Sequence, residues 1–122
     1  MKVRDFYEVR LYMGSVNNKT GRRFYGFIIE KLIGEVQEKY GTVIPVRLTE
    51  TKYISGPEYT EDGWEIAAFN YPKMDVSKTE IKEFMLKLGN KLLKKCGQNR
   101  ICIADSLNNE IIMLEREDDY KI

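Results

Sequence analysis

A chain of 122 residues, 43% hydrophobic and 32% charged, has enough apolar material for one packed core without disulfide staples, and its composition is that of a globule and not of a disordered chain. Its 20 Lys and Arg against 19 Asp and Glu leave a net charge of +1, so bulk electrostatics argues against nucleic acid as the main partner. The absence of histidine removes the commonest general base and metal ligand near neutral pH, and with them Ser-His-Asp and Cys-His catalysis.

No apolar run approaches the roughly 20 residues that span a bilayer, and the N-terminal MKVRDFYEVR has no apolar signal core. The expected location is the cytoplasm, that of the host if a phage encodes the chain. Cys96 and Cys102 are read as reduced packing residues, one ending a helix and one in a strand.

The first element, DFYEVRLYM, alternates cleanly, with Tyr7, Val9, Leu11 and Met13 on one face and Phe6, Glu8, Arg10 and Tyr12 on the other. This is the pattern of a half-buried strand. The polar turn GSVNNKTGRR follows. From Arg22 to Tyr40 the period becomes helical, with Tyr25, Ile28, Ile29, Leu32, Ile33, Val36 and Tyr40 in one stripe and Gly41 as its stop. Phe27 and Gly34 share the opposite side, a candidate contact patch for another copy or protein. A second strand is predicted over TVIPVRLTETKYI, with Pro45 marking an edge or bulge. SGPEYTEDG reads as a turn-rich connection and WEIAAFNY as the third strand.

Ser77 opens the second helix with Glu80 in the capping-box position. Ile81, Phe84, Met85, Leu88, Leu92 and Cys96 form its apolar stripe, and Gly97 ends it. RICIA and EIIMLE are the fourth and fifth strands, joined by a tight turn around Asn108 and Asn109. The order predicts an α+β, ferredoxin-like β-α-β-β-α-β sandwich with an extra C-terminal strand and both helices on one face of an antiparallel sheet. One domain is expected over residues 1–117, followed by a short acidic tail at 118–122.

Three groups of residues carry the functional expectations. The turn from Ser15 through Asn17, Asn18, Lys19 and Thr20 to Arg22 and Arg23 sits between a strand and a helix start, where unpaired amides and the helix dipole favour an anion. It matches neither of the glycine-rich phosphate signatures. Cations at that helix end call for a bound phosphate or carboxylate, or for ion pairs with Glu8, Glu30 or an acidic turn of another copy. The basic run of residues 78–100 against acidic EYTEDGWE and EREDDYKI suits either steering of an anion or pairing of copies. The cluster of Glu58, Glu61, Asp62 and Glu65 follows no metal-loop spacing.

The second group is aromatic. LYMGSV resembles the first-strand signature of RNA-recognition-motif domains, and EKYGTVIPVRL is similar to their helix-to-second-strand passage. The resemblance implies base stacking by Tyr12 and, from DGWEIAAF, by Trp64. Ile66, Asp62 and Glu65 depart from that family's third-strand pattern.

Together these readings give a non-enzymatic, oligomeric binding protein. It would hold a small anionic or nucleotide-like ligand through Arg10, Tyr12, Ser15, Asn17, Asn18, Lys19, Thr20, Arg22, Arg23 and Trp64, and so sequester or sense a signal. The alternatives are a protein-interaction module using the open sheet face or Phe27 and Gly34, and an RNA-recognition-motif-like single-strand binder. No metal, cofactor or membrane partner is expected, and no residue pattern selects a reaction.

Overall fold

A computed structural model of the chain describes residues 1–117, so the expected acidic tail at 118–122 lies outside the described residues. The elements run β1 (Glu8–Gly14), α1 (Gly26–Tyr40), β2 (Val46–Ile54), β3 (Thr60–Phe69), α2 (Lys78–Lys95), β4 (Arg100–Asp105) and β5 (Glu110–Glu115). The strands form one antiparallel sheet in the order β2-β3-β1-β4-β5. Both helices cover one face, which is the ferredoxin-like arrangement with β5 added beside β4.

β1 is the central strand, and its alternation decides the two faces. Tyr7, Val9, Leu11 and Met13 are buried under the helices, where they meet Ile29 and Ile33 of α1 and Phe84, Met85 and Leu88 of α2 within a single core cluster. Across the sheet, directly opposed residues share a face, so Ile66, Leu11, Ile103 and Ile112 form one inward row. Thr49, Glu65, Tyr12, Cys102 and Met113 form an outward row that no helix covers.

α2 begins as the sequence indicates. Ser77 Oγ accepts from the Glu80 amide and the Glu80 carboxylate accepts from the Ser77 amide, each at 3.1 Å, which satisfies two amides a helix start leaves free. α1 starts four residues later than the Arg22 expected from periodicity. Residues 15–24 instead close a tight hairpin-like turn, in which Val16 bridges Arg23 and the Phe24 amide donates to Ser15 O at 3.0 Å. Tyr25 is then an extended N-cap without a side-chain capping bond. Two strand boundaries also move. β2 begins only after Pro45, which has no N–H for the ladder, and β3 reaches back to Thr60 because Glu61, Asp62 and Gly63 pair with Tyr53, Lys52 and Thr51.

One polar network ties α2 to the β4–β5 hairpin. Lys82 Nζ lies 3.0 Å from the buried Asp105 carboxylate and 2.6 Å from Glu110. Burial alone would push the Asp105 carboxyl up. Bonds from Lys82, from the Asn108 side chain and from the Asn108 and Leu107 amides override it and hold the group below its ordinary range. A carboxyl lowered in the folded state adds stability above its unfolded pKa, and that contribution is lost as pH falls through the folded value. Urea unfolding at pH 6 and pH 3 is therefore expected to show acid destabilisation that is smaller in Asp105→Asn, and an unchanged difference would contradict the role given to this network.

Candidate functional site

The 14–23 turn is held from several sides by its own polar residues. Asn17 Oδ1 accepts from the amides of Lys19 and Thr20 at 2.9 and 3.2 Å, an Asx arrangement that replaces backbone bonds in the turn. Thr20 Oγ1 accepts from the Arg22 amide at 3.2 Å. Buried Ser15 donates both Oγ and its amide to Asp62 O, at 3.0 and 3.2 Å. Asn18 Oδ1 accepts from the Asn99 amide at 3.0 Å, and the Asn18 amide donates to Gly97 O at 2.9 Å. Buried Gln98 completes the clamp by accepting from the Gly14 amide at 3.2 Å and donating to Val16 O at 2.8 Å. Much of the polarity that the sequence offers to a ligand is thus engaged in shaping the turn.

The cations divide in the same way. Arg23 lies 3.6 Å from Glu50 and 3.5 Å from Asp62, carboxylates of β2 and β3, and not beside Glu8 or Glu30. Arg10 pairs with Glu8 and, at 3.1 Å, with Glu65. Glu8 also faces Arg47 at 3.7 Å. Arg22 and Lys19 have no carboxylate within ion-pair distance among the described residues. Since α1 begins at Gly26, Arg22 and Arg23 precede the helix and do not occupy its first turn.

The expected residues do not form one site. On the helix side of the turn, Arg22, Arg23 and Lys95 edge a shallow groove of about 400 Å³ with Tyr25 and Phe27. Those two rings stack in parallel, 6.1 Å apart, and both are exposed. Lys19 lines a different hollow with Lys94 and Glu117. On the open sheet face, Tyr12, Gly14 and Asn18 border a groove of about 560 Å³ with Tyr53, Tyr59, Glu61, Gln98 and Arg100. Gly34 is exposed on α1, with open space where a side chain would stand.

Trp64 corrects the expected stacking pair. It opposes Met13, one position from the Tyr12–Glu65 pair, and therefore points to the helix face. A Cβ at Gly26 would lie 3.2 Å from its ring, so the indole closes against the first turn of α1. Tyr12 and Trp64 lie on opposite sides of the sheet, and the two-strand aromatic platform implied by the RNA-recognition-motif resemblance is not formed by this pair.

The aromatic partner of Tyr12 is Tyr53. Their ring centres are 6.5 Å apart at 73°, an edge-to-face contact. The Tyr53 hydroxyl donates to Trp64 O at 3.1 Å, and burial, with Glu65 adding to it, pushes that phenol up to about 12. It therefore stays protonated and fixed across the physiological range. Tyr59 is exposed at the rim. Tyr53, Tyr59, Gln98 and Arg100 are absent from the sequence-based set. Cross-strand register places Tyr53 opposite Glu61, Tyr59 stands in the hairpin just before β3, and the Gly97 stop hints at Gln98 only by putting it between helix and strand.

The described residues contain no group of three His, Cys, Asp or Glu side chains placed to hold a metal ion, and no helix long and apolar enough to cross a membrane. No protein-family model matches the chain, and no curated protein matches it. Among solved structures it is similar to a phage SAM lyase in complex with S-methyl-5'-thioadenosine, with a TM-score of 0.67 and 13% identity over 95% of this chain and 93% of the other. The apo form of a phage SAM lyase aligns comparably, with a TM-score of 0.66 and 13% identity over 93% and 92% of the two chains. A designed ferredoxin-fold protein also aligns, at a TM-score of 0.36 and 14% identity.

The turn's dependence on Gly97 is directly testable. Gly97 has φ +57°, and a Cβ there would collide with the Asn17 amide. Gly97→Ala is expected to lower stability by about 1 kcal/mol or more and to loosen residues 15–23 in hydrogen exchange. Unchanged protection of that segment would contradict the clamp. At this level of identity, what the chain shares with the phage SAM lyases is the fold.

Proposed function

We propose that the protein binds an adenosine thioether or sulfonium, of the S-adenosylmethionine and S-methyl-5'-thioadenosine class, in the open-face groove. The observation that carries this reading is the meeting of Tyr12, Tyr53 and Tyr59 with Glu61, Gln98 and Arg100 in one groove of about 560 Å³. A purine stacks on a tyrosine face at a gain of about 1–3 kcal/mol. Glu61 at the rim suits a sulfonium or ammonium, and Arg100, which lies 3.7 Å from Glu115, suits a carboxylate that would share or replace that pairing. The thioadenosine held by a phage SAM lyase of similar fold supports the same ligand class.

This reading changes the sign expected of the ligand. The sequence points to an anion, whereas the tyrosine groove contains Glu61 and Glu115 beside Arg100. An anionic ligand keeps one specific observation in its favour, the cationic groove edged by Arg22 and Lys95 on the other side of the turn. Catalysis is compatible with the absence of histidine, because a sulfonium carries its own leaving group and its cleavage calls first for positioned charge.

Thermal unfolding with S-methyl-5'-thioadenosine, S-adenosylmethionine and adenosine triphosphate separates these readings. The first two are expected to stabilise the protein by about 2.7 kcal/mol at 100 times their Kd. Tyr12→Ala is expected to weaken them about tenfold or more while Arg22→Ala leaves them unchanged. Stabilisation by the triphosphate alone, lost in Arg22→Ala, would overturn the proposal in favour of the anion groove. Chromatography of the S-adenosylmethionine mixture reads whether thioadenosine is released, which distinguishes an enzyme from a binder.

A further inference from the structure

Two glycines open a gap in the side-chain cover of the exposed sheet face. Gly14 of β1 and Gly63 of β3 oppose each other, and both share the outward parity of Tyr12 and Glu65. A Cβ at Gly63 would collide with the Tyr53 ring, and a Cβ at Gly14 would stand 2.6 Å from Glu61 Oε1. Tyr53 and Glu61, themselves an opposed pair, therefore lean into the space the glycines leave, the ring over Gly63 and the carboxylate over Gly14. Among the described residues, Glu61 has no cation within ion-pair distance and no hydrogen bond.

A second acceptor faces the same spot. Gln98 Oε1 lies 3.4 Å from the Cβ position of Gly14, and its orientation is fixed. Both hydrogens of the Gln98 amide nitrogen are used, on Val16 O at 2.8 Å and Cys96 O at 3.2 Å. The oxygen is therefore the atom turned to Gly14, whose amide it accepts at 3.2 Å. A carbonyl oxygen accepts two hydrogen bonds, and the bonds of this buried side chain among the described residues fill one of them.

The opposite charge comes from β4. Tyr12 opposes Cys102, so Arg100, two residues before it, stands at the Gly14 end of the groove and lines the same hollow. It reaches Glu115 at 3.7 Å, with both side chains partly exposed, and such a pair contributes little. That end of the groove thus sets a carboxylate and a fixed carbonyl beside a guanidinium. The first two accept from an ammonium, and the third is a planar fork for a carboxylate. A lone cation would leave Arg100 unanswered and a lone anion would face Glu61, whereas an α-amino acid zwitterion satisfies both. Tyr12 lies two residues from Gly14, about 7 Å along the strand, a gap that a ribose and its 5'-sulfur bridge.

We propose that the Gly14 end of the groove is an amino-acid subsite, in which Glu61 and Gln98 accept from the α-ammonium and Arg100 takes the α-carboxylate of an S-adenosyl amino acid. This rests on the reading of the tyrosine groove as an adenosine thioether site, and it specifies the ligand as one that keeps its aminoacyl chain. A thioadenosine cut short at sulfur loses these contacts, so it binds more weakly and leaves first.

Isothermal titration with S-adenosylhomocysteine and S-methyl-5'-thioadenosine isolates the subsite, because both are neutral at sulfur and they differ in the aminoacyl chain. The aminoacyl thioether is expected to bind about tenfold or more tighter. In Glu61→Gln and in Arg100→Gln, both at exposed positions, that ratio is expected to fall to about one, whereas Arg22→Ala keeps it. Equal affinities of the two thioethers in the parent protein overturn the subsite and leave the groove reading standing. So does a ratio that survives Glu61→Gln or Arg100→Gln, or one that is lost in Arg22→Ala. Tight binding of S-adenosylmethionine with weak and equal binding of both thioethers also overturns it, since Glu61 would then be pairing with the sulfonium. Binding of none of the three removes the groove reading itself, and the subsite with it.

Discussion

The parity of β1 is the constraint from which the rest follows. Val9 and Leu11 are fully buried, and each opposes a core residue on both neighbouring strands or the buried Asp105. A slip of one residue would place these side chains in water and drive Glu8, Arg10 and Tyr12 under the helices. At about 25 cal/mol for each Å² of apolar surface exposed, and with two charges to desolvate, that alternative is closed. The same parity leaves Tyr12 on the uncovered face, where Tyr53 reaches it from β2.

The 14–23 turn converts this sheet parity into a bordered groove. It is tied to β3 through Ser15 and Asp62, and to the α2–β4 junction through Asn18 and Gln98. Those bonds leave little freedom for the turn, so the walls of the groove exist before any ligand arrives. Preorganisation of this kind reduces the entropy lost on binding. The arginines contribute less to the groove than their number suggests. Arg10 and Arg47 face Glu8 and Glu65 on the open face, which keeps that face nearly balanced in charge, and Arg23 is held by Glu50 and Asp62 on the helix side. Such a face suits a ligand that is itself mixed in charge and carries an aromatic ring, and it offers less to a polyanion.

Much of the fold was legible in the sequence because it rests on local signals. The Ser77–Glu80 capping box, the Gly97 stop, the apolar stripe of α2 and the alternation of β1 each need only a few neighbouring residues to be recognised. The start of α1 was not legible. Tyr25 extends the helical period backwards, whereas the pairings of Ser15 with Phe24, Val16 with Arg23 and Asn17 with Arg22 that keep residues 15–24 out of the helix join positions five to nine apart. Trp64 shares the parity of Ile66 and so belongs inward, but the Ala67–Ala68 pair blurs the period that would have shown it. The candidate site was legible only in part. Tyr12 and Asn18 were found from their own segment, while Tyr53 and Glu61 depend on the β2–β3 register, which no local pattern fixes, and Tyr59 on the hairpin that joins those strands.

The central claim is that the open face, and not the cationic side of the turn, is where a ligand sits. Two-dimensional amide NMR of the labelled protein, titrated with S-methyl-5'-thioadenosine, tests it residue by residue. The account predicts shifts centred on Tyr12, Gly14, Tyr53, Gln98, Arg100 and Cys102, with Arg22, Phe27 and Lys95 unmoved. Shifts confined to residues 20–28 and Lys95, or none at saturating ligand, would contradict it.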